Sequence, residues 1–140
     1  LARRRITVLF SDIRGFTAIS ENLAPEKVVA LLNVYFEAMV DVIFRNKGTL
    51  DKFLGDGIMV IFGAPEDDPN QEEHALRTAL EMQEAASEIS RRWAAEGIDL
   101  NIGIGIHSGP AVVGSIGSSR RMDYTAISRR WHNAMGVFRL

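Results

Sequence analysis

Two aspartates carry the first hint of chemistry in this sequence. Asp12 closes the run RITVLFSDI, and Asp56 stands between two glycines in DKFLGDGIMVIFG. Both sit in text otherwise suited to burial, and a carboxylate at the rim of a buried segment needs a reason. Paired carboxylates suit Mg²⁺, a hard cation that takes oxygen ligands and completes its octahedron with water and substrate phosphates. Two such ions serve an in-line phosphoryl displacement, activating the attacking oxygen and neutralising the leaving group. The turn RGFT after Asp12 offers backbone N–H groups to phosphate oxygens. Each aspartate also has a plainer reading. Asp-Gly at a hairpin is common turn chemistry, and an Asp after a strand can cap the next helical turn. Both together, in an ordered strand–turn–helix–hairpin context, favour the metal.

Periodicity defines the elements that must position them. RITVLFSDI reads as a buried strand, and RGFTAIS as a turn centred on Gly15 with one helical turn after it. From Pro25, apolar residues recur at Val28, Leu31, Leu32, Tyr35, Phe36, Met39, Val42 and Ile43, a helical spacing that Gly48 would terminate. TLDKFL and IMVIFG, joined through GDG, form a hairpin signal with the glycines supplying positive φ. Asn70, with Glu73 three residues on, resembles a capping pair for a helix over 71–93. Its expected apolar face is Ala75, Leu76, Ala79, Leu80, Gln83, Ala86, Ile89 and Trp93. IDLNIGIGIHSG reads as a half-buried strand, and PAVVGSIGSSRRMDYTAI as an excursion returning as another. The order β–α–β–β–α–β–β predicts an α/β fold, a ferredoxin-like sandwich with a mostly antiparallel sheet. In that arrangement the first strand lies beside the hairpin, so Asp12 and Asp56 meet at one sheet edge.

Bulk properties narrow the function. A chain of 140 residues, 46% hydrophobic and 24% charged, is the size and composition of one globular domain. Its net charge of −2 argues against nucleic-acid binding. With no cysteine, disulfides, thiol catalysis and Cys-based zinc sites are excluded, which fits a cytoplasmic setting. The chain opens on Leu1 rather than Met and reads as part of a longer protein, compatible with an upstream sensor or membrane segment. Arg3 to Arg5 read as a flanking segment, with contact to a membrane surface the lesser alternative. Arg120 and Arg121 read as a solvated hairpin, and His74 and His107 as structural.

Four stretches together, VLFSDIRGFTAISE, LDKFLGDGIMVIFGAP, GIGIHSGPAVVGSIGS and RRMDYTAI, resemble the class III nucleotide cyclase catalytic domain in its bacterial adenylate cyclase form. The similarity runs from about Arg5 to Ile127, with the motifs in family order. It implies that Asp12 and Asp56 hold two Mg²⁺ or Mn²⁺ ions, joined by the backbone carbonyl of Ile13. It places Gly15, Phe16 and Thr17 in the turn that contacts the substrate phosphates. Lys52 matches the adenine-reading lysine, and Thr125 the second purine-reading position. A lysine only donates hydrogen bonds, so it suits the acceptor nitrogen on adenine's Watson–Crick edge and clashes with guanine's N–H. The resemblance thus implies ATP as substrate and cyclic AMP as product. It also implies a homodimer, with metals held by one protomer and the base read by the other.

The resemblance ends near Ser128, giving a division into a cyclase domain over 1–127 and a non-family tail over 128–140. The family motif continues Gly-Asp-x-Val-Asn, with an Arg four residues past that Asn, where this chain reads SRRWHNAMGVFRL. His132 falls at the Asn spacing and Gly136 at the Arg spacing, while Asn133 and Arg139 are out of register. The change of text reads as a slipped frame, with truncation or a degenerate paralogue as alternatives. Without the arginine that would stabilise developing charge, a loss of ~10²–10³ in rate is expected, so the chain is expected to be weakly active or inactive.

Overall fold

The computed structural model describes residues 2–118 and 121–128. Strand β1 spans Ala2–Ile13, the short helix α1 Phe16–Glu21, and the long helix α2 Pro25–Arg45. The hairpin strands β2 and β3 cover Thr49–Leu54 and Gly57–Phe62. Helix α3 comes next over Gln71–Trp93, then β4 over Ile102–Ser118 and β5 over Arg121–Ile127. The described residues form a five-stranded sheet of order β2-β3-β1-β4-β5, antiparallel at every neighbouring pair. This is the ferredoxin-like arrangement with β5 added beyond β4.

β1 is buried on both faces, which explains why its sequence runs apolar rather than alternating. Leu9 and Ile13 enter the core shared with α2 and α3, together with Tyr35, Met39, Phe62 and Met82. Ile6, Val8 and Phe10 enter a second core with Met59, Ile61, Val113 and Ala126. The sheet curls around that second core until β2 and β5, first and last in the order, touch. Among the described residues no helix is long and apolar enough to cross a membrane.

Several local expectations need correction. Arg3 to Arg5 do not flank the fold; they lie in β1, paired with Val112, Ala111 and Pro110 of β4. Arg4 donates to the Pro65 carbonyl at 2.7 Å and pairs with Asp67, while Arg5 pairs with Glu72. The buried residues of α3 are Ala75, Thr78, Met82, Ala86 and Ile89, with the expected Ala79 and Trp93 partly buried beside them. Leu76 and Leu80 fall one position round the helix and stay 56% and 60% exposed.

The α2 terminus forms a Schellman motif, with Gly48 N–H donating to Ile43 O at 3.0 Å and Lys47 N–H to Phe44 O at 3.3 Å. Lys47, not Gly48, takes the left-handed conformation at φ 63°. Gly48 is needed for room instead, since a Cβ there would lie 2.8 Å from Val60 Cγ1. Asn70 does not cap α3 through its side chain. Asp68 organises that entry, accepting from Asn70 N–H at 3.0 Å and meeting His74 Nδ1 at 2.5 Å. Burial raises the Asp68 pKa, but the hydrogen bonds from His74 and Asn70 outweigh it and the net shift is downward. Glu73 pairs with Arg77 instead.

Candidate active site

The carboxylate station is built where β1 ends against the β2–β3 hairpin. The last register pair of these strands is Ser11 with Ile58, so Asp12 and Ile13 emerge beside the turn that carries Asp56. Gly55 supplies φ 66° at the first central position of that two-residue turn. Gly57 serves a different need from the one expected, because a Cβ there would lie 3.0 Å from Leu54 O and 3.3 Å from Ser11 O. The hairpin can therefore lie close against β1. Asp56 is half-buried rather than exposed at the tip, and its Oδ2 accepts a hydrogen bond from Ile13 N–H at 2.9 Å.

Asp12, Ile13, Gly15, Phe16, Thr17 and Asp56 all line one open cleft of about 300 Å³. Sequence reading placed these six together, and the fold brings them together. Gly15, at φ 64°, turns the chain out of β1 into α1. Phe16 packs back onto the main core, which fixes where the turn sits relative to Asp12.

Two carboxylates on one open wall fit a hard cation of the Mg²⁺ or Mn²⁺ kind, which needs one or two such ligands and takes water and phosphate for the rest. Among the described residues no group of three or more metal-ligating side chains exists. The remaining positions around such an ion would fall to backbone, solvent and substrate.

Tyr35 was legible in the sequence as a core position of α2, not as part of this site. Its ring is fully buried. Burial pushes the phenol pKa well up; neighbouring Ser11 pulls it down, and the Asp56 and Asp12 charges push it further up. Among the described residues the Tyr35 and Ser11 hydroxyls are neighbours short of full hydrogen-bond geometry, so burial decides the shift. A neutral Tyr35 therefore lies under the two carboxylates and adds no third negative charge.

A second station lies where β2 and β5 meet. Thr125, 7% exposed, donates from Oγ1 to Asp51 Oδ2 at 2.5 Å. Lys52 Nζ stands 4.0 Å from the same carboxylate oxygen. The fold thus unites Lys52 and Thr125, which lie 73 residues apart in sequence, through an aspartate that sequence reading left unassigned. Neither Lys52 nor Thr125 lines the cleft that holds Asp12 and Asp56. Arg120, Trp131, His132, Asn133, Gly136 and Arg139 lie outside the described residues.

Residues 2–130 match the sequence profile of the adenylate and guanylate cyclase catalytic domain. The chain belongs to that family. It is 43% identical to the guanylyl cyclase Cya2, whose crystal structure superposes with a TM-score of 0.91, covering 98% of this chain and 70% of that one. The adenylyl cyclase CyaB from P. aeruginosa is 38% identical and has the same TM-score of 0.91, covering 97% of this chain and 71% of that one. Adenylate cyclase 1 of Rhizobium meliloti is 40% identical over 126 residues, which are 89% of this chain and 19% of that protein. This cyclase domain thus spans about a fifth of that relative's length. Neighbours of both base specificities are equally close in fold, so the nature of the purine has to be argued from side chains.

Proposed function

We propose that this cyclase domain converts ATP to 3′,5′-cyclic AMP and pyrophosphate, the ribose 3′-hydroxyl attacking the α-phosphorus. The observation that carries the reading is the common cleft of Asp12 and Asp56. Divalent ions held there by Asp12, Asp56 and the Ile13 carbonyl would activate the attacking oxygen and neutralise the leaving pyrophosphate. The chain's own work is positional. Ile13 N–H fixes one oxygen of Asp56, leaving the other to a cation. The Gly15–Thr17 turn borders the same cleft and supplies the phosphate contacts.

For the purine, Lys52 is a donor that suits adenine N1, and Thr125 stands with it at one end of the curled sheet. Because these two lie outside the metal cleft, the reading requires a second copy of the chain to present them to the nucleotide. Cyclisation by a homodimer with two Mg²⁺ or Mn²⁺ ions per site is the consequence, and a further domain in the full-length protein would regulate it. The division at residue 127 and the departure of the tail from family spacing belong to the same reading, which expects low turnover.

A guanylate cyclase is the second reading, favoured by the 43% identity to Cya2. Cyclic nucleotide formation from ATP and from GTP, each with Mn²⁺, tests both. Cyclic AMP in excess of cyclic GMP is expected. Asp12→Ala or Asp56→Ala should each lower it by more than the roughly 10–100-fold that loss of an outer-sphere partner costs. Unaltered activity in either variant would sink the scheme, and cyclic GMP as main product would leave the second reading standing. No cyclic nucleotide from the unaltered chain, with nucleotide binding retained, would indicate a binding and dimerisation module.

A further inference from the structure

We infer that Asp51 is a specificity-determining residue that fixes the hydrogen-bond polarity of the purine-reading Thr125. The inference rests on the assignment of Lys52 and Thr125 to the base.

A threonine hydroxyl is a poor discriminator by itself. It carries one proton and two lone pairs and can present either to a ligand. Adenine and guanine differ at this edge in opposite senses: adenine offers an amino donor and a ring-nitrogen acceptor, guanine a carbonyl acceptor and a ring N–H donor. A free hydroxyl could satisfy either exocyclic group. The structure removes that freedom. Thr125 Oγ1 donates its proton to Asp51 Oδ2 at 2.5 Å, the short range of a charge-assisted hydrogen bond. With its proton engaged, Thr125 has lone pairs alone to offer, and these match adenine's amino group and oppose guanine's carbonyl.

The backbone explains how Asp51 reaches this position. The β2–β3 register jumps between Leu50, opposite Val60, and Lys52, opposite Met59. A bulge at Asp51 breaks the strict alternation of strand side chains and re-aims those beside it. The Asp51 side chain is 0% exposed, whereas Lys52 beside it is 41% exposed. At 4.0 Å the Lys52 ammonium is held near the carboxylate without being locked onto it, so it can turn to a base. One buried carboxylate thereby sets the polarity of Thr125 and anchors the charge of Lys52. The pair becomes a donor beside an acceptor, complementary to adenine.

The test is the ratio of ATP to GTP affinity, measured with Mn²⁺ by displacement of a fluorescent methylanthraniloyl-ATP from the full chain. Asp51→Asn keeps the shape but removes the obligatory acceptor, since the amide can turn either its NH2 or its oxygen to the hydroxyl, and the Thr125 proton becomes available to a carbonyl. The expected result is a fall of about tenfold in the ATP:GTP ratio, with GTP binding tighter in absolute terms. A merely structural defect would weaken both nucleotides together. Thr125→Val, which keeps the branched shape and loses the hydroxyl, should also lower the ratio, and adding Asp51→Asn to it should lower it by less than Asp51→Asn does alone, the remainder acting through Lys52. If Asp51→Asn leaves the ratio within twofold while Thr125→Val or Lys52→Ala shifts it, the inference is overturned and the base assignment stands. If none of the three shifts it, the assignment itself is wrong and the inference goes with it. Melting curves on each variant separate loss of folding from loss of discrimination, and Thr125→Ser, which retains the hydroxyl, should keep the wild-type ratio.

Discussion

Asp56 shows how much a single side chain owes to its backbone neighbour. One of its oxygens is committed to Ile13 N–H at 2.9 Å, so the carboxylate is oriented before any cation arrives. Tyr35, beneath it, matters through what it does not do. Its hydroxyl is buried with Ser11 as its hydrogen-bonding neighbour among the described residues, short of full geometry, and a buried polar group so poorly partnered costs stability. Tyr35→Phe is therefore expected to raise stability by about 1 kcal/mol, read by urea denaturation at neutral pH. The pH dependence has a definite sign. The unfolded phenol ionises near 10, and the folded one higher. The alkaline loss of stability from this group is thus absent below pH about 10 and grows as pH climbs from there towards the folded pKa. Tyr35→Phe should flatten the alkaline loss of stability. The role of Tyr35 was not legible in the sequence, because at helical spacing an aromatic reads as core, which it also is. Asp51 escaped for a different reason: its partner Thr125 lies on another strand, and only the curl of the sheet unites them.

Among the elements, the ones with long apolar periods were legible and their ends were not. β1, α2 and the β2–β3 hairpin arise from patterning that burial enforces. The α2 terminus shows the limit. Both Lys47 and Gly48 are compatible with a helix stop, and sequence favours glycine for the left-handed position. Tertiary packing decides otherwise, because Gly48 is the residue pressed against Val60 and Phe62. Two substitutions should therefore act in opposite directions. Lys47→Gly relieves a left-handed conformation that costs an L-residue about 1–2 kcal/mol, and should raise the melting temperature. Gly48→Ala introduces overpacking of about 1–3 kcal/mol, and should lower it. Equal effects of the two would contradict this division of labour. The α3 entry departed from its sequence signal for a similar reason: Asp68, held by His74, took the role that Asn70 and Glu73 were expected to share.

At the scale of the whole molecule, the curled sheet keeps two stations apart on one chain. Asp12 and Asp56 share a cleft at the β1 end, while Lys52 and Thr125 meet where the sheet edges close. The proposed nucleotide site is then completed by a second copy, each chain offering a metal half and a base half. The most direct measurement mixes two variants, Asp56→Ala and Lys52→Ala, and monitors Mn²⁺-dependent ATP binding. Each alone should bind weakly, since every site in its dimer lacks one half. In an equal mixture, two-fold symmetric pairing should restore about a quarter of the sites, one in each mixed dimer. Failure of mixing to restore any site, with both variants shown to exchange subunits, would contradict the proposed division of the site.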